Sequence, residues 1–176
     1  MNDLRDSLWN QFGASIDMLG NAITMWPDEL WSTKKKFYYN AYHCLIFLDH
    51  YLTLPASQDF SSPLPFTFAA EGVVVQDTID DLMPDRIYSK EELLEYLSAS
   101  REKCFNVISG LNDENINDRW IKPSWNMNFS VLELLLYNMR HVQHHAAQLN
   151  MMLRQEINNA PRWVRRAKHP NTPKSP

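Results

Sequence analysis

Residues 131–154 read VLELLLYNMRHVQHHAAQLNMMLR, and this stretch decides the fold. Its apolar residues Val131, Leu135, Met139, Val142, Ala146, Leu149 and Leu153 recur in steps of three and four. On a wheel of 100° per residue they fall within about 80° of one another, which is the core-facing stripe of an amphipathic helix. A second row, Leu134, Asn138, His141, His145, Gln148 and Met152, runs beside the first at the same spacing. That row should face a neighbouring helix, yet its members from Asn138 to Gln148 are polar. An unpaired buried polar group costs about 1–3 kcal/mol, so amides and imidazoles in such a seam need partners or a ligand.

Helical periodicity continues on the N-terminal side. Leu4, Leu8, Phe12, Ile16, Leu19, Ile23 and Trp26 form another stripe, which Pro27 should end. A second helix is expected from a cap at Ser32 or Thr33 to about Leu54, before Pro55. Its run FYYNAYHCLIFLDHYL is apolar nearly all round, as in a helix buried on several sides. Residues 55–72 read as a long loop and Val73–Met83 as a short helical stretch. Ser89 and Glu92 make a capping box that opens a third helix, with Leu93, Leu97, Cys104 and Ile108 inside and closure near Gly110. Residues 112–128 read as a connection, after which Asn128 or Ser130 caps the fourth helix, running to about Asn158. The reading is all-α: a single-domain four-helix bundle of the up-and-down type over residues 1–158, then a basic, Pro-containing tail over 159–176. Only four glycines in the chain agree with helices rather than sheet.

The formal net charge is −4, but Arg162, Arg165, Arg166, Lys168 and Lys174 all lie beyond residue 160 with no acidic residue among them. Removing their contribution leaves −9 on residues 1–160, a poor match for a phosphate backbone, so no nucleic-acid partner is expected. The tail itself reads as a solvated end. Cys44 and Cys104 are isolated, which points to neither a thiolate zinc site nor a disulfide framework. No apolar run suits an export signal or a membrane span, so a cytoplasmic location without membrane association is the expectation.

Two histidines four residues apart on one helix project to the same side, about 6 Å apart in rise, where both reach one ion. His141 and His145 satisfy this, whereas His144 falls on the far side with Arg140 and Glu133. A third ligand has to come from another helix. His43 and His50 both qualify, lie about 10 Å apart along their helix, and are not separated by phasing. Asp49 is turned away from both, and Cys44 reads as core. Tyr39, Asn138 and Gln148 are further candidates for the pocket lining. Phe60, Phe66 and Phe68 could wall it from the long loop, and Trp120 and Trp125 could form its rim or simply pack.

The His141, His145 and Gln148 pattern, joined to a helix-two histidine in AYHCLIFLDHYL, resembles the DinB/YfiT-like superfamily. The resemblance spans roughly residues 1–158 and implies a metal triad of one helix-two histidine and two helix-four histidines. Here these would be His43, His141 and His145, with His50 as the fallback for the first. It further implies a divalent metal ion, nickel or zinc, and a thiol-dependent S-transferase as one enzyme such a site allows, a hydrolase acting through a metal-activated water being the other. The co-substrate would then be a low-molecular-weight thiol such as bacillithiol or mycothiol, acting on a small-molecule substrate, and the chain would be a homodimer. The competing expectation is a non-catalytic bundle whose polar seam is a binding or dimerisation surface, or a degenerate metal site.

Overall fold

The computed structural model describes residues 1–56, 59–70, 72–73 and 76–169. Helix α1 (Asn2–Met25) buries Leu8, Phe12, Ile16, Leu19 and Ile23 and ends at Trp26, whose extended backbone leads into Pro27. Helix α2 (Lys35–Tyr51) starts later than the sequence suggests. Residues 28–33 form a 3-10 turn and its continuation, and the Thr33 hydroxyl donates back to the carbonyls of Glu29 and Leu30 instead of capping α2. The helix also stops three residues before Leu54.

Helix α3 (Lys90–Ser109) opens on the expected capping box. The Ser89 hydroxyl accepts from the Glu92 amide at 3.2 Å, and the Glu92 carboxylate accepts from the Ser89 amide at 2.7 Å. Helix α4 (Val131–Ile157) is capped by Ser130, which accepts from the Glu133 amide at 3.1 Å. Helix α1 packs on α4 and α3, and α2 packs on the same two helices. Helix α4 therefore has one flank on α1 and the other on α2. The chain is a four-helix bundle, and no helix among the described residues is long and apolar enough to cross a membrane.

Two small antiparallel hairpins supplement the helices. Strands β1 (Phe66–Phe68) and β2 (Leu82–Pro84) pair in the connection between α2 and α3, with Thr67 opposite Met83. The short helix expected over Val73–Met83 is not formed: its described residues are turns and bends leading into β2, while Val74 and Val75 lie outside the described residues. Asp77 at φ 71° and the Asp80 carboxylate accepting from the Leu82 amide favour a turn over a helix. Strands β3 (Arg119–Lys122) and β4 (Met127–Ser130) pair in the connection before α4, around a 3-10 turn at Pro123–Trp125. Asn126 takes the left-handed conformation that closes this turn.

The tail is docked over its described part, contrary to the expectation of a solvated end. The Ala167 amide donates to the Asn10 carbonyl, and Arg101 donates to the Lys168 carbonyl. Val164 and Ala167 face the bundle while Arg162, Arg165, Arg166 and Lys168 stay exposed. Gly13 permits the approach, because a Cβ there would lie 2.6 Å from the Ala167 Cβ.

One contact ties α2 to α4 at the level of the backbone. The Leu52 amide bonds the Asp49 carbonyl, which leaves the Leu48 carbonyl without a helical partner, and the buried Asn138 side-chain amide donates to it at 2.9 Å. Asn138, a candidate pocket residue in the sequence, thus acts as a cross-helix cap. Asn138→Ala should lower stability by about 1–3 kcal/mol, read as a fall of several degrees in the thermal midpoint; an unchanged midpoint would show that the contact carries no weight.

Candidate metal centre

The α2–α4 seam brings His43, His141 and His145 together. Their ring centroids lie 4.5 to 5.3 Å apart, and one ring nitrogen from each falls within 4.8 Å of the others. His145 is buried and the other two are half-buried. The set comes from a helical turn of α4 meeting the middle of α2, which is why i,i+4 spacing on one helix needs a single residue on the other.

Partners on the outer edge orient two of the rings. His145 Nδ1 lies 3.1 Å from Asn40 Oδ1 and 3.0 Å from Gln148 Oε1. Both are acceptors only, so Nδ1 carries the proton and Nε2 keeps its lone pair. The Asn40 amide donates to the same Gln148 oxygen at 2.9 Å, which locks the pair in place. His43 Nδ1 lies 2.7 Å from Asp80 Oδ2, off the N–H axis, so the carboxylate holds the ring by proximity and not through a straight hydrogen bond. Burial tends to raise the Asp80 carboxyl, but its contact with His43, the His43 charge and the Leu82 amide outweigh this and hold it below the usual range. A carboxylate or carboxamide behind each ligating imidazole is a recurrent feature of metal sites.

The inner edge lacks such partners. Nε2 of His43 and Nε2 of His141 lie 3.2 Å apart. The buried Nδ1 of His141, on the far side of its ring from that contact, has no hydrogen-bond partner among the described residues. Two nitrogens bound tetrahedrally to one ion at about 2.0–2.1 Å would be about 3.3 Å apart. The spacing of this pair is therefore compatible with a shared metal ion. Burial, then the neighbouring histidines, pushes His141 down to about 3; burial and the same neighbours push His145 down to about 4. Both rings are neutral at neutral pH, the form a metal requires.

His50 stands apart from this group. Its ring packs against Phe60 at 4.9 Å, Trp125 at 5.0 Å and Trp120 at 5.8 Å, and burial lowers its pKa to about 4. Tyr39 is half-buried and meets Tyr38 edge-on, and His144 is exposed. Gln148 does reach the site, as the clamp on His145. Asp49 faces α3, where it accepts from the Tyr96 hydroxyl at 2.6 Å and pairs with Lys103. Cys44 is fully buried and its thiol is pushed up by that burial. Phe66 and Phe60 pack together beside His50, Trp120 is core, and Phe68 and Trp125 are exposed.

Asn40 and Asp80 were missed in the sequence. Asn40 lies one turn before His43 among aromatic residues, and its i−3 spacing was the available signal. Asp80 reaches His43 through a turn whose path no periodicity reveals.

The depressed histidines give a pH dependence. Folded-state values of about 3 and 4 lie below the unfolded 6.5, so the unfolded chain binds more protons between them. This contribution is fully present above pH 6.5 and is lost as pH falls toward the folded values. Metal-free protein should show a falling thermal midpoint from pH 7 to pH 4, and a His141→Gln, His145→Gln double variant should show a flatter profile. Parallel profiles would contradict the assignment.

A family model described as the DinB superfamily matches residues 11–149, which include all three histidines. No curated protein and no solved structure matches the chain. The family match covers well over half of the sequence and agrees with the helical bundle and its three-histidine cluster. The chain belongs to the DinB superfamily.

Proposed function

We propose that the chain is a metal-dependent enzyme in which His43, His141 and His145 hold one divalent ion, nickel or zinc. The observation that carries this reading is the convergence of three imidazole nitrogens within 4.8 Å, two of them 3.2 Å apart. A divalent ion there would supply a positive charge and an open position that lowers the pKa of a thiol or a water. A low-molecular-weight thiol is the preferred co-substrate and S-transfer to a small molecule the preferred reaction, on the ground of family resemblance. A homodimer in the cytoplasm belongs to the same reading.

The chain's own residues have separate tasks in this scheme. Asn40 and Gln148 fix the tautomer and ring plane of His145. Asp80, 2.7 Å from His43 Nδ1, holds that ring with its Nε2 toward the α4 histidines. Phe47, 4.7 Å from the His43 ring and 6.0 Å from the His141 ring, helps to keep bulk water off the imidazoles. A closed polar network without an ion is the weaker alternative, because it leaves two Nε2 atoms facing one another with a single proton between them.

Metal analysis after loading with zinc or nickel and removal of excess ion tests the reading. Wild-type protein should retain close to one ion per chain and His141→Ala and His145→Ala almost none. Asp80→Asn should weaken retention by about 10–100-fold. Wild-type protein that retains no ion would end the proposal. For the reaction, loss of free thiol in the presence of an alkyl halide should depend on loaded protein and disappear in His141→Ala.

A further inference from the structure

We propose that a cleft beside the three histidines binds a flat aromatic carboxylate. The cleft's place next to a reaction centre rests on the metal reading, but its recognition chemistry does not. It encloses about 670 Å³, within the range of small-molecule sites. Its walls carry six aromatic rings, from Phe47, Tyr51, Phe68, Trp125, Phe129 and Tyr137. Phe47 and Tyr51 are shared with the imidazole cluster: Phe47 lies 4.7 Å from His43, and Tyr51 lies 6.1 Å from His141. A molecule seated in the cleft is therefore separated from the histidines by these two rings.

The other walls come from the hairpins. Phe68 ends β1, Phe129 lies in β4, and Trp125 is presented by the turn between β3 and β4. Phe68 is 54% exposed and Trp125 38% exposed, so a large apolar surface faces the same opening. Such clustering of exposed rings marks a binding surface, and flat ring systems match it by stacked and edge-on contacts.

The charges select the rest of the ligand. Lys122, half-buried at the end of β3, places its ammonium 5.6 Å from the Trp125 ring centroid and has no carboxylate partner among the described residues. Asp81, just before β2, lies on the wall formed by the other hairpin. A carboxylate on the ligand is drawn to Lys122 and repelled from Asp81, which orients the ring system between them. With a formal net charge of −4 the chain repels anions at long range, so this preference has to arise by contact.

Calorimetric titration of 2-naphthoate and its neutral analogue 2-naphthamide tests the cleft, on the zinc-treated chain and on the chain after chelation. Naphthoate should bind about tenfold more tightly than the amide, and Lys122→Gln should abolish that preference. Trp125→Ala should weaken both ligands by about tenfold. Absence of saturable naphthoate binding up to about 1 mM would overturn the proposal. So would a preference unchanged in Lys122→Gln, or a cleft closed by a second copy, seen as a dimer that Trp125→Ala dissociates. Zinc retention is scored separately. Naphthoate binding without zinc retention leaves the cleft standing and removes the metal reading, and zinc retention without naphthoate binding does the reverse.

Discussion

The contact between α2 and α4 is polar along the part that matters, and the rest of the molecule is arranged around satisfying it. Apolar side chains would hold these two helices together more simply. Instead Asn40, His43, Asn138, His145 and Gln148 meet there, and each has a specific partner. Buried polar networks are favourable only when their members are paired, so the seam admits few alternative registers. The Asn138 bond to the Leu48 carbonyl fixes how far α2 slides along α4. That register sets His43 opposite the turn between His141 and His145.

The network holds two of its three imidazoles from the outer edge and leaves the inner edge to the histidines themselves. Asn40 and Gln148 clamp His145, and Asp80 holds His43, whereas the nitrogens facing inward meet one another. Evenly satisfied networks do not set two imidazole nitrogens face to face at 3.2 Å with a third imidazole beside them. The asymmetry is the physical ground for reading the cluster as a cation site, and the low pKa values of His141 and His145 follow from the same crowding and burial. Around it, the two hairpins add what a bare bundle lacks. One delivers Asp80 to His43, and both contribute rings to the adjoining cleft.

Much of this was legible in the sequence because helices advertise themselves by period. The stripe through Val131, Val142 and Leu153 and the capping box at Ser89 and Glu92 required no tertiary information. The same wheel separated exposed His144 from buried His145. It could not choose between His43 and His50, since α2 is buried on several faces and has no single apolar stripe to phase it. The structure distinguishes them by surroundings: His43 meets the α4 histidines, and His50 sits among Phe60, Trp120 and Trp125. The hairpins escaped notice because strands of three or four residues are too short to show alternation. The docked tail escaped for another reason: its contacts are mostly through backbone groups and one glycine, which composition does not reveal.

X-ray absorption at the metal edge of zinc- or nickel-loaded protein tests the central claim most directly. The three-histidine site predicts imidazole nitrogens at about 2.0–2.1 Å, with the nitrogen shell altered by His43→Ala and unchanged by His50→Ala. A loaded protein whose metal shell lacks imidazole, or one that is insensitive to His43→Ala, would contradict it.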